Sequence, residues 1–336
     1  MSTIRTVDLP PDESSAAAGR KFALTRKQRQ RPQKGAKRTW RQSLRRDWQL
    51  YSLALLPLAF FAIFRYLPMI GNVIAFRRYH PGGNMFGDQW VGWRYFKLFW
   101  NDPTFWHVFS NTLIMGVLTL IFAFPMPIIL ALLLNEVRSR KFKRLVQSIS
   151  YLPHFLSTVI VAGVVMQFLA ADGPLNQLIT HMGHDKILFI QQPGWFRSIY
   201  VSSELWQTVG WGTILYLAAL TSIDENLYEA ARIDGAGRWR QTWHVTLPGI
   251  RPMMITLLIL NIGTFTAVGF EKIILLYNPL TYPTADVVSS YLYRMGVLSN
   301  NFSYAAAIGL FESVIGLVLI FSANRISRRT VGTSLW

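Results

Sequence analysis

Long apolar stretches alternate with short polar ones along most of the chain. Six segments, 50–70, 108–134, 148–169, 199–222, 253–270 and 304–324, come close to the roughly twenty residues a helix needs to cross hydrocarbon. They predict an all-α integral membrane protein of about six transmembrane helices. The second segment is long and contains Pro125 and Pro127, which predict a kink or an interrupted helix there. The first 47 residues have no apolar core of the signal-peptide kind. Rich in Ser, Ala, Pro, Gln and basic residues, they read as a disordered cytoplasmic tail, 1–47, able to touch anionic lipid near Arg41, Arg45 and Arg46. Residues 48–336 then form one transmembrane domain, interrupted by a polar loop over 223–252.

Charge gives the segments a direction. Lys and Arg number thirteen before the first segment, five in 135–147, four in 223–252 and three after Asn324. The alternate loops, 71–107, 170–198 and 271–303, hold eight together. The cytoplasmic excess of basic residues therefore places both termini and the loops 135–147 and 223–252 inside. It also accounts for the net charge of +17, and no base-reading motif argues for nucleic acid instead. The chain has no cysteine, which excludes disulfides, thiol catalysis and Cys-based metal sites. Its histidines and carboxylates show no metal-ligand spacing, and no phosphate-binding loop is present. Neither a metal site nor catalytic residues are expected.

The outer loops are aromatic. Trp90, Trp93, Tyr95, Phe96, Phe99 and Trp100 fit either a helix lying flat at the interface or a loop anchored by an aromatic belt. Arg65, Arg77 and Arg78 near the outer end of the first segment read as interfacial arginines, with an attraction for acidic solutes as the sharper alternative.

The segment 222–248 carries the most information. Ser222 and Glu225 have capping-box spacing, which predicts a helix start at the membrane exit. Ala230 and Ala231 let another surface approach the backbone closely, and Gly235 suits the left-handed position that closes a helix. Gly237 loosens the next turn, and Pro248 is expected to stop the second helix from continuing into the fifth segment. The result is a helical elbow at the membrane surface.

Glu229-Ala230-Ala231, then Gly235, then Leu247-Pro248 twelve residues beyond it, resemble the signature EAA loop of bacterial binding-protein-dependent ABC importer permeases of type I. Val245 stands where that motif usually has Ile. Tyr151-Leu-Pro-His, Trp206-Gln-Thr-Val-Gly-Trp211-Gly and Tyr216-Leu-Ala-Ala-Leu-Thr-Ser-Ile-Asp are similar to the carbohydrate branch, above all permeases for polysaccharide fragments, alginate oligosaccharides among them. The resemblance covers about 47–336. It implies a non-catalytic, multi-pass subunit of the bacterial inner membrane, surrounded by lipid and importing sugars by alternating access. It also implies a second related permease, an extracytoplasmic solute-binding protein and two ATPase subunits that bind ATP and Mg. Glu229, Ala230, Ala231, Gly235, Leu247 and Pro248 would form the coupling helix that docks on the ATPase.

A sugar path needs flat rings and planar polar groups, and polar groups inside a span are costly enough to mark a path. Trp206, Gln207, Trp211 and Tyr216 in the fourth segment qualify, with Glu204 nearby; Asn261, Thr264 and Thr266 follow in the fifth and Glu312 in the sixth. Each has a plainer reading: interface anchors for the tryptophans, interhelical hydrogen bonds for Asn261 and Thr264, and a partner-helix contact for Glu312. The alternatives to a sugar permease are a permease for another solute class in the same family and a self-sufficient secondary transporter, although no internal repeat supports the latter.

Overall fold

The computed structural model describes residues 46–263 and 269–330. The tail 1–47, apart from its last two residues, and Thr264 and Thr266 lie outside these. The chain divides into two compact units, 1–68 and 69–336. The first unit carries α1 (Trp48–Phe61), extended by a π-helical turn, Ala62–Tyr66, and every residue from Trp48 to Pro68 is exposed. An exposed, largely apolar helix of this kind suits lipid as its solvent.

In the second unit a 3-10 turn, Ile70–Phe76, leads into a two-stranded hairpin, β1 (Arg77–Arg78) against β2 (Gln89–Trp90), with Arg77 opposite Trp90. The aromatic stretch forms a short helix, α2 (Arg94–Trp100), which leaves Trp93, Leu98 and Trp100 exposed and buries Phe99. The second span is α3 (Pro103–Ala123) followed by α4 (Pro125–Glu136). Its hydrogen-bond ladder breaks at Phe124, because neither Pro125 nor Pro127 can donate.

The third segment, predicted as a spanning helix over 148–169, is a bent pair of helices. α5 (Arg140–Tyr151) starts earlier and gives way to a 3-10 turn, Leu152–Phe155; α6 (Thr158–Phe168) then leaves at 105°. Pro153 and the N-cap of α6, where Ser157 Oγ accepts from the Ile160 N–H at 3.3 Å, fix this corner. α7 (Pro174–His181) connects to α8 (Pro193–Leu220), which at 28 residues is long enough to span but less apolar than the others. After the elbow come α9 (Glu225–Ile233), α10 (Arg238–Gln241) and α11 (Leu247–Gly263). Three short helices, α12 (Phe270–Leu276), α13 (Tyr282–Ala285) and α14 (Val288–Tyr293), precede the last span, α15 (Phe302–Thr330).

Four helical runs among the described residues are long and apolar enough to cross a membrane, Trp48–Phe76, Pro103–Glu136, Arg238–Gly263 and Phe302–Arg329, and the bent pair α5–α6 makes a fifth. With α8 the count matches the six segments. α8 organises the second unit. Phe196, Tyr200 and Val201 enter one buried cluster with Met115 and Ile273, while Tyr216 and Leu220 enter another with Ile128, Ala131 and Ile250. Gly210 permits the closest approach: a Cβ there would lie 2.0 Å from the Ser150 carbonyl oxygen of α5.

A cavity in the membrane domain and an elbow beside it

The elbow is built from local rules. α8 ends at Leu220, and α9 begins with Asp224, not Ser222, as its N-cap; the Asp224 carboxylate accepts from the Asn226 N–H at 3.0 Å. Ser222 instead donates its hydroxyl back to the Ala219 carbonyl at 2.7 Å, so the expected capping box does not form. A cap of the Asp224 kind stabilises a helix by about 0.5–2 kcal/mol. The far end closes on Gly235 at φ +73°, with Gly235 N–H to Arg232 O at 3.0 Å and Ala236 N–H to Ala231 O at 2.8 Å. These two bonds are those of a Schellman closure, which the left-handed glycine makes possible. Gly237 then serves as N-cap of α10.

Pro248 does not stop the return helix. The run Arg238–Gly263 is continuous over 26 residues because a π-helical turn, Thr242–Thr246, precedes the proline. The Leu247 N–H reaches Thr242 O, and the wider turn relieves the clash between the Pro248 ring and the carbonyl four residues back. The Tyr228 hydroxyl meets Thr246 Oγ1 at 3.0 Å and so ties α9 to this turn. Glu229, Ala230, Gly235 and Pro248 are exposed, and Ala231 and Leu247 are half-buried. Apolar groups outside the motif are exposed on the same elbow: Ile233 is 86% exposed, Trp239 79% and Trp243 63%. The four-residue spacing of the two tryptophans was the available signal. Arg238 pairs with Glu136 at 3.5 Å, an exposed contact worth about 0–1 kcal/mol.

The second feature is a cavity of about 360 Å³ walled by α3, α4, α8 and α11 and by the corner after α5. α8 contributes a stripe, Tyr200, Glu204, Thr208, Trp211 and Leu215, at helical spacing, and Tyr216 completes it. The His154 ring stacks on Trp211 at 4.5 Å and 9°. The α5–α6 corner therefore places irregular backbone against a cavity, the location where a membrane protein can satisfy it. Gln207 supports the corner by donating Nε2 to Leu156 O at 3.3 Å. Asn261 lines the cavity while its amide donates to Leu257 O at 2.7 Å. Thr119 also lines it, and its buried hydroxyl has no hydrogen-bond partner among the described residues.

Of the path residues expected from sequence, Trp211, Tyr216 and Asn261 meet at this cavity, and Gln207 stands behind its wall. Trp206 is not among the lining residues: five positions before Trp211, it points away from that stripe. Glu312 on α15 is not a lining residue either; it follows Phe311, which packs on Phe99 and Phe105. Thr264 lies outside the described residues. Arg77 and Arg78 are held in the hairpin and do not line the cavity. Sequence reasoning missed His154, which only the corner brings inward, and Lys272 of α12, whose Nζ donates to Glu204 Oε2 at 2.5 Å.

Known proteins resemble this chain in sequence and in fold. Residues 123–332 match the family described as binding-protein-dependent transport system inner membrane component. Protein LplB of Bacillus subtilis is 47% identical over 87% of this chain and 92% of its own length. The polygalacturonan/rhamnogalacturonan transport system permease protein YteP of the same organism is 44% identical over 83% and 88%. Among solved structures, a chain of a bacterial alginate ABC transporter in complex with an alginate pentasaccharide-bound periplasmic protein superposes with a TM-score of 0.81. It is 44% identical, covering 88% of this chain and 99% of that one.

Proposed function

The chain belongs to the family of binding-protein-dependent transport system inner membrane components, and from that membership we infer that it is the permease subunit of an ABC importer for oligosaccharides. The substrate class follows from relatives that are named for polygalacturonan, rhamnogalacturonan and alginate. The observation that carries the reading is the juxtaposition on α8: its inner wall lines an aromatic, hydroxyl-bearing cavity, and its end runs directly into the glycine-closed elbow. A displacement of the elbow would be transmitted along one rigid helix to the cavity wall. Flat rings at Trp211, His154 and Tyr216 suit sugar faces, and Thr119, Thr208 and Asn261 suit hydroxyls.

In this reading Glu229, Ala230, Ala231 and Gly235 dock on an ATPase, with Leu247 and Pro248 at the base of the elbow. The exposed Ile233, Trp239 and Trp243 extend the docking surface. Both termini and the elbow face the cytoplasm in this reading, which the distribution of basic residues supports. A second permease completes the pathway, a solute-binding protein delivers the sugar outside, and two ATPase subunits bind ATP and Mg. ATP binding there favours the state in which the elbows lie closer together, and the cavity changes its open side as a population shift. Purification of the tagged chain from native membranes tests this assembly. Co-purification of an ATPase and a sister permease is expected; a lone chain that transports sugar by itself would overturn it.

A further inference from the structure

Most groups around the cavity are aromatic, aliphatic or hydroxylic, and the carboxylate of Glu204 is an exception that needs an explanation. A charge on a membrane-embedded wall is costly unless it is paired. Its partner is Lys272, whose side chain is 3% exposed while that of Glu204 is 27% exposed. The cation is therefore sealed behind the wall and the anion faces the cavity. Next to this contact the Tyr200 hydroxyl accepts from the Gly269 N–H at 3.0 Å, so α8 and the start of α12 are joined at two points one helical turn apart. The pair is thus held in register.

We propose that Glu204 and Lys272 together set the charge selectivity of the cavity. Paired, they present a wall that is neutral overall, with a carboxylate edge available to accept from sugar hydroxyls. Without Lys272 the cavity would carry an uncompensated negative charge and repel acidic sugars. Without Glu204 a lone ammonium would lie behind the wall and attract them. The proposal rests on the reading of the cavity as the sugar path. In it, Lys272 is a positioning and compensating residue, because it is too buried to touch a solute.

The test is uptake by the full reconstituted importer of a uronate oligosaccharide and of its methyl ester, matched in length, with the acid-to-ester rate ratio as the readout. Lys272→Met is expected to lower that ratio about tenfold, the order set by one uncompensated unit charge across a solvated cavity. Glu204→Gln is expected to raise it in the opposite sense, and Glu204→Gln with Lys272→Met to return it to within about twofold of native. The opposite signs keep the test decisive if one variant fails to assemble. A native ratio in every variant that assembles would overturn the proposal, as would equal loss of both substrates in Lys272→Met without recovery in the double variant. A native complex that takes up neither substrate would contradict the sugar-path reading instead.

Discussion

His154 and Trp211 lie face to face, 4.5 Å between ring centroids and 9° from parallel, although 57 positions separate them in the chain. The stack depends on the corner between α5 and α6, which turns a residue of a predicted span toward the cavity. Loss of such a contact costs about 0.5–1.5 kcal/mol. His154→Ala should therefore slow oligosaccharide uptake in proteoliposomes roughly two- to tenfold, with the subunits still co-purifying. Uptake at the native rate would place the stack off the path.

The approach of Gly210 to Ser150 makes a stability prediction. A Cβ at Gly210 would lie 2.0 Å from the Ser150 carbonyl oxygen, whereas one at Gly194 meets nothing within 4 Å. Gly210→Val should cost ~3 kcal/mol or more, because backbone on both sides must move. Gly194→Ala should be neutral or slightly stabilising. Thermal unfolding of the detergent-solubilised chain separates the two, and equal midpoints would show that α5 and α8 are not packed so closely.

The tie between Tyr228 and Thr246 can be removed without disturbing packing. Tyr228→Phe deletes a 3.0 Å hydrogen bond at the base of the elbow. A loss of about 0.5–1.5 kcal/mol in local stability is expected. Hydrogen exchange should show faster opening of α9 while the protection of α8 stays native. Unchanged exchange in α9 would mean that the Schellman closure alone holds the elbow.

Asp102 provides a pH handle outside the spans. Burial works to raise its pKa, but hydrogen bonds from the Tyr291 hydroxyl, the Thr104 N–H and the Tyr304 hydroxyl win and hold it below the ordinary 3.8. A carboxyl depressed on folding contributes stability above its unfolded value and loses it as pH falls through the folded one. Asp102→Asn should melt lower than native at neutral pH, and the difference should shrink as pH drops below 3.8. A gap that stays constant across that range would remove Asp102 from the acid response.

Much of this molecule was legible in order of residues. Apolar length found the spans. Gly235 announced the left-handed closure that the structure shows, because that signal is local. What stayed hidden depended on distant partners or on compensation. Ser222 has the chemistry of a cap, yet Asp224 two residues later takes the role. Pro248 has the chemistry of a stop, yet a π-helical turn absorbs it, and the same device precedes Pro68. Lys272 read as a loop residue, since nothing in its neighbourhood reveals that Glu204, 68 positions away, is its partner. Trp206 and Trp211 are alike in sequence and both are exposed, and only the helical angle between them puts one ring on the cavity and the other off it.

The central claim is that the elbow transmits ATP hydrolysis to the cavity, and substrate-stimulated ATPase activity of the reconstituted complex tests it most directly. Gly235→Pro forces φ from +73° to about −65° and removes the N–H bound to Arg232 O; Glu229→Lys reverses the charge of an exposed residue on the elbow. Both variants should insert in the membrane and lose stimulation by substrate. Stimulation at the native level in both would contradict the coupling role of the elbow.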